Sequence, residues 1–195
     1  SVGDALREGF AYVRGHDAIR LLLIIVTVMA LFSGSYQTLL PYFARDVYHG
    51  DVRAFGLMTA AGGLGACLGT VFLASSRDPA RLEVRIIICG LIVAIVLAGF
   101  ALTRDFPLAL AAIAVMSFCS INTVAASLAL INSLVDDHMR GRVIAIYSMA
   151  FFGMSPVGNL LVGWLAPILG VNITLIGCAA AIFAMAIFAL GRRRS

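Results

Sequence analysis

The chain has 195 residues, 62% of them hydrophobic and 12% charged, with a mean hydropathy of +1.02. A soluble domain carries about 25% charged residues, so water is excluded as the main solvent and a lipid bilayer is expected. The net charge of +4 raises nucleic acid as a partner, but all fourteen basic residues are arginines set at the edges of apolar runs. No basic–aromatic stripe accompanies them, which excludes nucleic acid as their main purpose.

Residues 1–18 are too charged to span a membrane. Val2, Leu6, Phe10 and Val13 fall near helical spacing, with Asp4, Arg7, Glu8 and Arg14 between them. This predicts an amphipathic connector helix on the membrane surface, with an unstructured linker as the alternative. The chain opens on Ser1 without a signal-type apolar core, so it is expected to begin inside a longer protein.

A bundle over 19–191 follows, built from six apolar runs at 21–43, 55–74, 86–102, 106–135, 143–165 and 171–190. Each approaches or exceeds the ~20 residues that cross a ~30 Å hydrocarbon core. None shows the alternation of a barrel strand. The fold class is therefore an all-α integral membrane protein with six transmembrane helices, which satisfy their backbone groups internally. A basic tail, 192–195, closes the chain.

Short connections make successive helices antiparallel, so the arginines divide between two sides. Arg7, Arg14, Arg20, Arg77, Arg81, Arg85, Arg140, Arg142, Arg192, Arg193 and Arg194 fall on one; Arg45, Arg53 and Arg104 fall on the other. The positive-inside rule makes the first side cytoplasmic, with both termini there.

The ten carboxylates and the histidines His16, His49 and His138 lie in loops or at span ends. No intramembrane proton relay is therefore expected within this chain. A serine protease within the membrane would need a histidine beside Ser35 or Ser155, and no span supplies one. Cys67, Cys89, Cys119 and Cys178 lie singly in separate runs and read as small hydrophobes, with no metal, disulfide or cofactor role.

Uncharged polar residues carry more information. Tyr36 and Gln37 stand in the first span, Ser120 and Asn122 in the fourth, and Asn159 in the fifth. Amides are costly in lipid without a partner. Gln37, Asn122 and Asn159 either line a substrate path or hydrogen-bond between helices, and sequence leaves both open. Gly62, Gly65 and Gly69 recur at helical spacing in the second span, while Gly153, Gly158 and Gly163 recur every five residues in the fifth. Both sets are read as close-packing faces.

Three stretches carry a resemblance: DALREGFAYVRGHDAIRLLL, PYFARDVYHGDVRAFGLMTAAGGLGACLGT and RGRVIAIYSMAFFGMSPVGNLLVGWLA. Together they resemble the C-terminal six-helix half of a major facilitator superfamily transporter, a twelve-helix fold. The nearest group is the bacterial transmembrane secretion effectors, similar to siderophore and macrolide exporters. The superfamily's Gly-x-x-x-Asp-Arg-x-x-Arg-Arg element is degenerate at SSRDPARLEVR, leaving Asp78 and Arg81 as displaced gate candidates. The run Gly153-Met154-Ser155-Pro156-Val157-Gly158 resembles an antiporter motif of another helix too loosely to set a direction of transport.

The resemblance implies two six-helix halves rocking about a central site in a bacterial inner membrane. The first and fourth spans would line the cavity, and the second and fifth would meet the other half. Arg140 and Arg142 would hold a cytoplasmic gate with Asp136 and Asp137. Efflux of a small, largely apolar molecule is the implied function, with the missing N-terminal half or a second copy as partner and protons as one option for coupling. The alternative is a six-helix structural or regulatory subunit.

Overall fold

The computed structural model describes residues 2–74 and 79–193. Among them every regular element is helical: α1 Val2–Gly15, α2 Asp17–Phe32, α3 Ser35–Tyr42, α4 Val52–Ala74, α5 Pro79–Leu102, α6 Phe106–Leu134, α7 Arg140–Leu169 and α8 Val171–Arg193. Six spans result, because α2, α3 and a π-helical turn at Phe43–Val47 join into one segment, Asp17–Val47. The protein is a multi-pass membrane protein.

That first span is longer than its apolar run and is not one helix. Ser33 N–H closes on Met29 at 2.8 Å, and the Ser35 hydroxyl turns back onto the Phe32 carbonyl at 2.6 Å. The first is the last rung of α2; the serine hydroxyl then occupies a carbonyl at the helix end, and the ladder breaks beside Gly34. Pro41 then lacks an N–H to donate and crowds the carbonyl four residues back. The chain relaxes into the π turn that follows. By contrast α7 continues through both Pro156 and Pro167. Asp105 caps α6 by accepting Leu108 N–H at 3.1 Å, with Pro107 in the first turn, where its missing N–H costs nothing.

α6 is the centre of the bundle, with α4 on one side and α5 on the other; α8 backs onto α5. α2 packs against α7 and α8, and α1 lies on α7. Ile19, Phe43, Leu97, Phe100, Ile113 and Met116 are essentially fully buried in the resulting core. α4 and α7 stand apart: only 17% and 22% of their apolar windows are buried, against 39–50% for the other four spans.

The two ends of the bundle differ. At the arginine-poor end, the Tyr48 hydroxyl donates to the Thr103 carbonyl at 3.2 Å, and its ring meets Phe106 edge-on. Burial pushes the Tyr48 phenol above its usual value, Arg104 opposes the rise, and Asp105 adds to it. A raised folded-state pKa means this stabilisation is whole below about pH 10 and fades as pH rises further. Tyr48→Phe should cost about 1 kcal/mol at neutral pH, read as a lowered melting temperature in detergent. The difference from the parent should shrink above about pH 10; a constant difference would rule out the hydrogen bond as its source.

Candidate functional site

A cavity of about 850 Å³ lies between α2–α3, α4, α6 and α7. That falls within the range of small-molecule sites, about 300–1,000 Å³. Its lining residues are Met29–Leu40 positions on the first span, Phe55–Ala66 positions on α4, Ile113–Val124 positions on α6 and Phe151–Ser155 positions on α7. On α4 these lie mostly in the half nearer the Tyr48–Thr103 end, and on α6 about its middle. Among the described residues no charged or histidine side chain lines it.

Gln37 is exposed to this cavity, and its amide has no partner among the described residues. Tyr36 also lines it, is only 2% exposed, and pairs its hydroxyl with Ser117 Oγ at 3.0 Å, either atom being able to donate. This bond ties α3 to α6 at the cavity wall. Ser120 contributes a half-buried hydroxyl. Ser33, Thr59, Ser117 and Ser155 complete a sparse polar lining set among Met58, Phe55, Phe151 and Phe152.

Asn122 and Asn159 are not among the lining residues. Asn122 is 0% exposed and donates to the Gly69 carbonyl of α4 at 3.1 Å and to Phe118 O at 2.9 Å. It therefore makes the helix–helix bond, the second of its two sequence readings. Its Oδ1 is buried without a partner. Asn159 is half-buried on α7. The signal that separates these residues is phase. Ser117 and Ser120 fall on one side of α6, whereas Asn122 is about 200° around the helix from Ser120.

The glycines divide in the same way. A Cβ on Gly65 would strike the Ala114 backbone, and one on Gly69 would lie 2.8 Å from Phe118 O. Gly62 is looser, 3.3 Å from Ser117 Oγ. The α4 face expected to meet a second half is thus filled by α6. On α7, Gly158 abuts the Leu31 backbone of α2, while Gly153 and Gly163 face open space. Five-residue spacing turns each successive glycine about 140°, so the three do not form one face.

At the arginine-rich end the expected pairing is divided. Arg140 bridges to Asp137 at 2.5 Å. Arg142 reaches instead across to Glu8 of α1 at 2.6 Å, and Asp136 accepts a hydrogen bond from Tyr12 at 3.1 Å. Sequence reasoning missed Glu8 and Tyr12, since their partners lie more than 120 residues away, as the separation of 124 between Tyr12 and Asp136 illustrates. Arg81 is exposed and engaged in an interaction of its own, and Asp78 lies outside the described residues. Among the described residues no group of His, Cys, Asp and Glu could hold a metal ion.

Among the described residues the cavity is thus lined without charge, and charged side chains stand at both ends of the bundle, more of the basic ones at the α1–α7 end. A search of curated proteins finds no match to the chain. The family model for transmembrane secretion effectors matches residues 1–193, almost the whole length. With six apolar helices and this match, the chain belongs to the transmembrane secretion effectors of the major facilitator superfamily.

Proposed function

We propose that the chain forms half of a secondary-active carrier that exports a small, largely apolar molecule by alternating access. The observation that carries this reading is the uncharged cavity of about 850 Å³, set among four helices, with Gln37 exposed to it. Its phenyl rings and methionines would hold an apolar body, and its hydroxyls and one amide would orient a few polar groups. A second six-helix unit, the N-terminal half or another copy, would cover α4 and α7, the two least buried spans. Any proton-coupling carboxylate would come from that unit, since none of the described residues lining this cavity is one. The distribution of arginines favours both termini on the cytoplasmic side, and membership of the transmembrane secretion effectors suits a bacterial inner membrane.

The test is transport by the full protein in proteoliposomes, over a panel of neutral apolar compounds with and without amide or hydroxyl groups. Gln37→Leu should raise KM about five- to tenfold for compounds that hydrogen-bond to the amide. It should leave the purely apolar ones and the melting temperature nearly unchanged. Identical transport across the whole panel would instead favour a structural or regulatory membrane subunit.

A further inference from the structure

We propose that a crevice at the arginine-rich end, separate from the main cavity, binds a single-chain amphiphile with a protonated amine head, its chain between the helices and its head on Glu83. The crevice holds about 240 Å³ among α2, α5, α6 and α8. Ala18, Glu83 and Leu134 stand at its mouth, and the buried Ile25, Ile86, Ile87 and Ala189 form its floor. The space exists because α2 and α5 both pack on α6 and α8, with little direct contact between them.

The lining sets the kind of body that fits. Apart from Glu83, every described lining residue is alanine, leucine or isoleucine. Such walls offer dispersion and exclude water, but give no ring to stack on and no hydroxyl or amide to orient a polar group. The main cavity, with its phenyl rings, hydroxyls and Gln37, is the opposite case. At about 240 Å³ the crevice also falls below the ~300 Å³ of ordinary small-molecule sites, which favours a thin alkyl chain over a ring system. From Ala18 to Ile25 is two turns of α2, a depth of about 10 Å. The crevice does not run on into the main cavity. Toward Met29, which lines that cavity, only a slot of about 10 Å³ remains, room for one water at most. There a Cβ on Gly90 would lie 3.7 Å from the Ala186 Cβ, so α5 and α8 close the floor.

The mouth sets the head. Glu83 is half-buried and is the one ionisable group among the described lining residues. Its carboxylate is engaged in an interaction of its own, but two oxygens offer about four acceptor sites, so an ammonium joins that interaction without displacing it. The arginines nearby do not turn the mouth toward anions. Arg20 is closed on Asp17 at 2.6 Å. Arg81 and Arg85 stand about 200° around α5 from Glu83, and the Arg85 guanidinium lies 4.7 Å over the Phe72 ring of α4. An amine at this level keeps its charge beside a carboxylate at the membrane edge while its chain leaves water, as a snorkelling lysine does. Nothing in this site requires a solute to cross the membrane, so it is independent of the carrier reading.

The test is photolabelling of the full protein in lipid nanodiscs with octylamine that carries a diazirine at its chain end, followed by peptide mapping. Labels should fall on Ile25, Ile86, Ile87 or Ala189, about fivefold more often than from octyl sulfate of the same design. Glu83→Gln should cut labelling by the amine about fivefold and leave labelling by the matching octanol within about twofold. Ala18→Trp adds bulk at an exposed position. It should close the mouth to all three probes while the melting temperature stays near the parent's. Labels confined to lipid-facing positions such as Ile88 and Ile95 overturn the site. Equal labelling by amine and sulfate, or amine labelling unchanged in Glu83→Gln, overturns the ammonium head on Glu83.

Discussion

Gly65→Val and Gly158→Val are each expected to cost about 3 kcal/mol or more, whereas Gly153→Ala and Gly163→Ala should be close to neutral. At Gly65 a Cβ would lie 2.8 Å from both Cα and the carbonyl carbon of Ala114, with its oxygen closer still. At Gly158 it would lie 2.8 Å from Leu31 Cα. In both cases the obstacle is backbone, which cannot rotate aside as a flexible side chain can. Relief requires α4 to leave α6, or α7 to leave α2. Either movement reaches the cavity, because all four helices line it. Thermal unfolding in mild detergent should show the two valine variants melting roughly 6–12 °C below the parent. Gly153 and Gly163 have nothing within 4 Å, and alanine is the better helix former by about 1 kcal/mol. Similar losses at Gly153 and Gly158 would show that spacing in the sequence, rather than the abutting Leu31 backbone, sets the effect.

The contrast among these glycines also marks how far the sequence can be read. The six spans are legible because a bilayer demands about 20 apolar residues per crossing. Their ends are less so: the first span extends to Asp17–Val47 because helical hydrogen bonding continues beyond the apolar run. The break at Ser33 and Gly34 opens the polar stretch SGSYQT, which the sequence shows as less apolar but not as a helix end, since the Ser35 hydroxyl that bonds back to Phe32 could equally sit in an unbroken helix. Composition identifies Gln37 and Asn122 as polar but does not say which way each faces. Helical phase does: the positions 113, 117, 120, 121 and 124 form one cavity-lining stripe that omits Asn122. The contacts of Glu8 and Tyr12 are the least legible, because only the packing of α1 on α7 brings such distant residues together.

The seam between α4 and α6 yields the second large effect. Asn122→Asp should destabilise the bundle by about 3–5 kcal/mol, and Asn122→Leu by about 1 kcal/mol, although aspartate is the closer match in shape. The asparagine Nδ2 serves two carbonyls, Gly69 O and Phe118 O. Aspartate would set a carboxylate oxygen against both of them, in a site with no exposed surface and no cation among its hydrogen-bond partners. An uncompensated charge there has neither water nor counter-ion. Leucine gives up the two donated bonds but also removes Oδ1, which is already buried without a partner, so part of its loss is offset. Transport by the leucine variant should stay within about threefold of the parent for every compound, since Asn122 does not line the cavity. A substrate-selective loss in Asn122→Leu at unchanged melting temperature would put this residue on the solute's path. The seam would then be a wall that opens during the cycle, and the α4–α6 pair could not move as the single unit that its close glycine packing implies.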